Sequence, residues 1–222
     1  MPTASNIIEL RQLVAERFPH LRQGIVTGAP LETSPTGVPG LDALLGGGLP
    51  RGEFTELVGT ARGSGSAQVI HAFLRRVAAD GQFLALIDGQ DSFDVGTVCP
   101  EVLARLLWVR CTTAAEALKA ADLLLRDQNF PLVALDLKFN PLSQLRKIPT
   151  SIWHRLGRLL ERNRATVLVV TPFPLVSGVR HRLCVESNLG IDDLALARLE
   201  LLDRLQFTPL RSPATAAEAQ TG

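Results

Sequence analysis

Residues 36–68 read TGVPGLDALLGGGLPRGEFTELVGTARGSGSAQ, and the order of the parts in this stretch decides the fold. Gly46-Gly47-Gly48 with Leu49-Pro50-Arg51-Gly52 is a glycine-rich turn. Phe54 to Val58 is a short apolar run, the pattern of a buried strand. Gly59 to Ser66 is a loop of small residues. The apolar spacing from Ala67 to Ala79 predicts a helix, ended by Asp80-Gly81. Strand, glycine-rich loop and helix in that order build a phosphate cradle, in which bare N–H groups and a helix N-terminus face an anion.

The loop departs from that pattern where charge is needed. The motif runs Gly, four residues, Gly, Lys, then Ser or Thr. Counted from Gly59, the second glycine falls on Ser64 and the lysine on Gly65. Ser66 alone fits, at the magnesium-ligand position. Gly63 lies inside the loop. A lysine brings a full positive charge to the terminal phosphates, and glycine brings none. The expectation is a nucleotide-binding architecture without nucleotide chemistry.

Outward from this stretch, apolar runs alternate with helical patterns. Strands are expected at Phe83 to Asp88, Leu106 to Arg110, Leu132 to Asp136 and Thr166 to Thr171. A short helix is expected at Leu41 to Leu45 and another at Pro100 to Arg105, with Pro at its first turn. Thr113 and Glu116 form a capping-box pattern for a helix reaching Asp127. Thr150 or Ser151 caps a helix reaching Asn163. Residues 137–149 are an irregular connection holding Pro141 and Pro149. Such alternation means parallel βαβ units with right-handed crossovers. Arg182 to Ser187 alternates like an edge strand. Ile191 to Leu205 carries a helical apolar face, and Gln206 to Leu210 ends the fold with a short strand. At the N-terminus, residues 5–17 form an amphipathic pattern that Pro19 ends. Residues 19–40 hold Pro19, Pro30, Pro35 and Pro39 and read as an extended connection. The expected domains are an N-terminal helix and linker (1–35), one core domain (36–210) and a disordered Ala/Ser/Thr/Gly-rich tail (211–222).

With 222 residues the chain can build one α/β domain with a substantial core. The net charge of +1 provides no global field toward nucleic acid or a membrane. Cys99, Cys111 and Cys184 have no CxxC spacing and read as reduced cytosolic thiols. MPTASNIIELRQL lacks the apolar core of a signal peptide. No run reaches the roughly 18 apolar residues of a membrane span. The expected place is the cytoplasm, with nucleoid association. His20, His71, His154 and His181 are scattered and show no metal spacing.

TGVPGLDALLGGGLPRGEFTELVG resembles the entry segment of RecA-like proteins, where a Gly-Leu-Asp segment and a GGGLPRG turn lead into the first core strand. The likeness continues through Ile87-Asp88-Gly89-Gln90 and Leu135-Asp136 and covers about residues 30–175. Leu106-Leu107-Trp108-Val109-Arg110 and the helix after it resemble the ImuA type. These are RecA-like proteins without a working phosphate loop, encoded beside an error-prone polymerase in bacterial DNA-damage cassettes. The resemblance implies a RecA-like P-loop NTPase fold, a mostly parallel sheet flanked by helices. It implies that Asp136 stands where the family keeps its metal-coordinating aspartate. It also implies that Gln90, which cannot take a proton from water, stands at the catalytic glutamate. An N-terminal helix in that family packs on a neighbouring subunit; here it could equally fold back on its own core.

These readings leave Gly59, Gly63, Ser64, Gly65, Ser66, Gln90 and Asp136 as a relic nucleotide site, with no catalytic residue, metal or cofactor expected. Arg62 is the candidate for replacing the lost charge if ATP binds. A second group is basic. His154, Arg158 and Arg162 share one helical face, with Arg155 and Arg164 beside them, and Arg180-His181-Arg182 follows Pro172-Phe173-Pro174. Either cluster could meet DNA phosphates or a partner. The expected function is a non-enzymatic adaptor that binds RecA, a Y-family polymerase subunit or both. The alternatives are an atypical ATPase and a module that binds single-stranded DNA weakly. A homo-oligomer is compatible with either.

Overall fold

The structure is a computed structural model. It describes residues 32–188, 190, 193, 196 and 200–210. The N-terminal amphipathic pattern, most of the 191–205 segment and the tail from 211 lie outside the described residues.

Nine strands are described: β1 (Thr33–Ser34), β2 (Leu49–Pro50), β3 (Phe54–Val58), β4 (Leu84–Asp88), β5 (Leu106–Arg110), β6 (Leu132–Asp136), β7 (Thr166–Thr171), β8 (His181–Ser187) and β9 (Leu205–Pro209). The helices are α1 (Pro39–Leu44), α2 (Ser66–Ala79), α3 (Pro100–Leu103), α4 (Ala114–Asp127), α5 (Leu142–Leu145) and α6 (Thr150–Asn163). Seven strands form one sheet in the order β5-β4-β6-β7-β3-β8-β9. All neighbours are parallel except β8 and β9. This is the expected α/β architecture.

The sheet is apolar on both faces because helices cover both. Ala85, Ile87, Val133, Leu135, Val167 and Val169 point to one side, where they pack with Trp153, Leu156 and Leu160 of α6 and Leu118 of α4. Their neighbours Leu84, Leu86, Leu132, Ala134, Leu168 and Val170 point to the other, against Val69, Ile70 and Phe73 of α2. The period of two along each strand separates the two cores.

The entry stretch folds as a tied corner. Asp42 of α1 accepts hydrogen bonds from Thr36 N at 2.9 Å and Thr36 Oγ1 at 2.7 Å. Gly48, with φ +142°, passes so close to the Ser34–Pro35 backbone that a Cβ would collide with it. That close approach lets β1 pair with β2.

Several expectations need correction. β8 is not an edge strand: β3 pairs with it on one side and β9 on the other. Alternation reports which face of a strand is covered and not how many neighbours it has, and β8 is paired on both edges. The described part of the 191–205 segment is a 3₁₀ turn at Glu200–Arg204, not an α-helix, and β9 already starts at Leu205. Residues 137–149 contain the single-turn helix α5. No side chain caps α6, whose N-cap is Pro149. The capping box of α4 is present in both directions: Thr113 Oγ1 accepts from Glu116 N, and Glu116 accepts from Thr113 N. No helix among the described residues is long and apolar enough to cross a membrane.

Candidate functional site

The loop after β3 keeps the strand–loop–helix form. Gly59 N donates to Thr171 O at 2.9 Å, which roots the loop beside β7. Gly65 is the N-cap of α2, and the amides of Gln68 and Val69 donate to its carbonyl at 3.0 and 3.3 Å. Its φ of +91° is a conformation that a side-chain-bearing residue adopts only under strain. Leu205 at the start of β9 lies against the same point, and a Cβ at Gly65 would fall inside its Cδ2. Ser187 Oγ, at the end of β8, donates to Gly63 O. The β8–β9 end therefore covers the loop where the family's lysine would project.

A lysine is nevertheless present in the loop, and it comes from elsewhere. Lys138 follows β6 by two residues and is 8% exposed. Its ammonium donates to Ala61 O at 2.9 Å and to Ser64 Oγ at 3.2 Å. A Cβ at Gly59 would meet that nitrogen at 2.7 Å, so glycine there makes room for it. Burial pulls Lys138 below the usual lysine range, against the attraction of Asp136. The sequence reading considered Arg62 for this charge and missed Lys138. One signal existed: Lys119, Lys138 and Lys147 are the chain's only lysines, and Lys138 alone follows the strand that ends in Asp136.

Asp136 sits at the end of β6, and its Oδ1 accepts from the Lys138 amide at 2.9 Å. Burial pushes its carboxyl up to about 6; the Lys138 amide opposes the rise and the charge of Asp88 adds to it. Asp88 lies opposite Asp136 in the β4–β6 register and is 1% exposed. Its Oδ2 accepts from Ser92 N and Phe93 N, both at 2.8 Å, and from Trp108 Nε1 at 3.3 Å. That carboxylate is engaged in closing the 89–93 turn. Gln90 is exposed and meets Asn140 Nδ2 through Oε1 at 3.5 Å. Ser66, 7% exposed, opens α2. The carboxyl ends of β3, β4 and β6 thus gather Gly59, Gly63, Ser64, Gly65, Ser66, Asp136 and Gln90 at the edge where open α/β sheets bind ligands. Among the described residues no group of three or more His, Cys, Asp or Glu side chains could hold a metal ion.

Most of the basic candidates are held by other groups of the chain. His154, Arg155, Arg158 and Arg162 are exposed on α6, opposite Trp153, Leu156 and Leu160. Arg155 pairs with Asp122 at 3.1 Å, and Arg158 Nε turns back to His154 O at 3.5 Å. Arg164, at the left-handed C-cap of α6, pairs with Glu32. Arg180 pairs with Glu53 at 3.0 Å. Arg182 is held inward: its Nε donates to Glu56 Oε2 at 2.5 Å and its NH2 to Val176 O at 2.6 Å. Glu56 is fully buried and also accepts from Thr171 Oγ1 and the amides of Leu175 and Val176.

No family model matches the chain. Curated proteins do. It is 32% identical over 124 residues to "Protein RecA" of Leifsonia xyli, covering 52% of this chain and 33% of that protein. It is 33% identical over 124 residues to "Protein RecA" of Clavibacter michiganensis, covering 52% and 33%. It is 30% identical over 124 residues to "Protein RecA" of Streptomyces coelicolor, covering 52% and 32%. The chain spans about a third of the length of these curated relatives. Sequence similarity to RecA over half of the chain, together with the parallel sheet and the loop after β3, gives the chain a RecA-like fold.

Proposed function

We propose that this chain is a non-catalytic RecA-like adaptor in the DNA-damage response. In this reading it binds RecA, an error-prone polymerase subunit or both, as the ImuA type does, and turns over no ATP. The observation that carries the reading is the loop after β3, whose lysine, Lys138, already gives its N–H donors to Ala61 O and Ser64 Oγ. Leu205 and Ser187 cover the position that a gripping lysine would need. Hydrolysis also needs a group to orient and deprotonate water, and Gln90 is a poor base.

The test is recovery of tagged full-length chain from DNA-damaged cells of its source. Capture of RecA or a Y-family polymerase supports the reading, and capture of neither sinks it. The rival reading is nucleotide binding, favoured by the same Lys138 ammonium, which could exchange its loop acceptors for a phosphate. Calorimetric titration with MgATP separates the two: tight binding with turnover replaces the adaptor by an atypical ATPase.

A further inference from the structure

On the far side of the sheet from the α2 helix, the N-terminal turns of α4 meet α5 and the start of α6 in a cleft of about 560 Å³. Its floor is apolar: Ala115, Leu118, Ile148 and Ile152 contribute the surface. Its rim is cationic: Lys119, Lys147 and Arg155 stand around it. Arg155 is neutralised by Asp122 at 3.1 Å. Lys119 and Lys147 are exposed and make no ion pair with any described residue. The nearby carboxylates are already in use. Glu116 caps α4 through Thr112 and Thr113, which holds it well below the usual carboxylate range. Asp122 is shared by Arg126 and Arg155.

We propose that this cleft docks an acidic, leucine- or phenylalanine-bearing peptide segment of a partner protein, its apolar side chains in the cleft and its carboxylates on Lys119 and Lys147. The charge is complementary on both counts, since the floor offers only contact area and the rim offers uncompensated cations. Helical segments recognise grooves in this way, with apolar anchors at helical spacing. Single-stranded nucleic acid fits less well, because the floor has no aromatic face on which a base could stack. The assignment deepens the adaptor reading and rests on it for the partner's role, while the binding event itself is measured independently.

The probe is a fluorescein-labelled peptide, EDLLDELLDLFE, titrated with full-length protein and followed by anisotropy. Saturable binding is expected. Ala115→Glu adds bulk and negative charge at an exposed position in the first turn of α4, where a carboxylate suits the helix. It is expected to weaken binding at least tenfold without lowering the melting temperature. Lys119→Glu with Lys147→Glu is expected to do the same, and Arg75→Glu, exposed on α2 across the sheet, to change affinity less than twofold. Absence of saturable binding, parental affinity in both cleft variants, or displacement by an oligothymidylate overturns the proposal. If the peptide binds and Ala115→Glu abolishes it while cells yield neither RecA nor a polymerase, the cleft stands and the adaptor reading falls.

Discussion

Restoring the missing lysine should harm this protein rather than repair it. In Gly65→Lys the new residue must hold φ near +91°, which costs about 1–3 kcal/mol for a side-chain-bearing residue. Its Cβ must also displace Leu205, which is only 8% exposed, and overpacking of this kind costs about 1–3 kcal/mol. Together the loss is roughly 2–6 kcal/mol. For a chain of this size each kcal/mol moves the midpoint by about 2–4 °C, so thermal melting should fall by roughly 4–24 °C. Adding Leu205→Ala should return the steric part and leave the backbone part. A lysine that gripped MgATP at a hundredfold excess over Kd would restore about 2.7 kcal/mol. No such rescue is expected, because Ser187 and Leu205 occupy the approach. The reasoning is refuted if Gly65→Lys melts with the parent and MgATP then raises its midpoint by several degrees.

Other changes follow from the same contacts. Lys138→Met leaves the Ala61 carbonyl and the Ser64 hydroxyl without their donor and should cost about 1–3 kcal/mol in urea denaturation; an unchanged midpoint would show that desolvation of the ammonium cancels these bonds. Asp136 has its folded pKa raised from 3.8 to about 6, so its contribution is fully present below pH 3.8 and is lost as pH rises through 6. Asp136→Asn should therefore match the parent near pH 3.5 and exceed it by roughly 2–3 kcal/mol at pH 7, and a pH-independent difference would contradict this. Arg182→Ala strands the buried Glu56 carboxylate and should cost about 3–5 kcal/mol; a loss below about 1 kcal/mol would show that the amides and hydroxyl on Glu56 suffice to hold it. Thr113→Ala removes one half of the α4 capping box and should cost about 1 kcal/mol, read from the urea midpoint.

Much of the architecture was legible because both of its periodicities are strong. β3, β5, β6 and β7 fall at the expected residues, since buried parallel strands appear as uninterrupted apolar runs between turn signals. The Thr113–Glu116 cap was legible because capping is local chemistry. The C-terminal part was not. β8 alternates like an edge strand yet lies between β3 and β9, and no local pattern encodes which strand a hairpin will return beside.

The candidate site divides in the same way. By itself the sequence established that residue 65 is glycine, that residue 90 is glutamine, and that a strand, a small-residue loop and a helix follow one another. These facts depend on chemical identity and short spacing. Only the tertiary structure brought Lys138 into the loop from a strand 74 positions away from Ser64, set Leu205 over Gly65, and turned Arg182 inward to Glu56. Contacts at such separations depend on the order of strands in the sheet, and that order is settled by burying both faces at once rather than by any one segment.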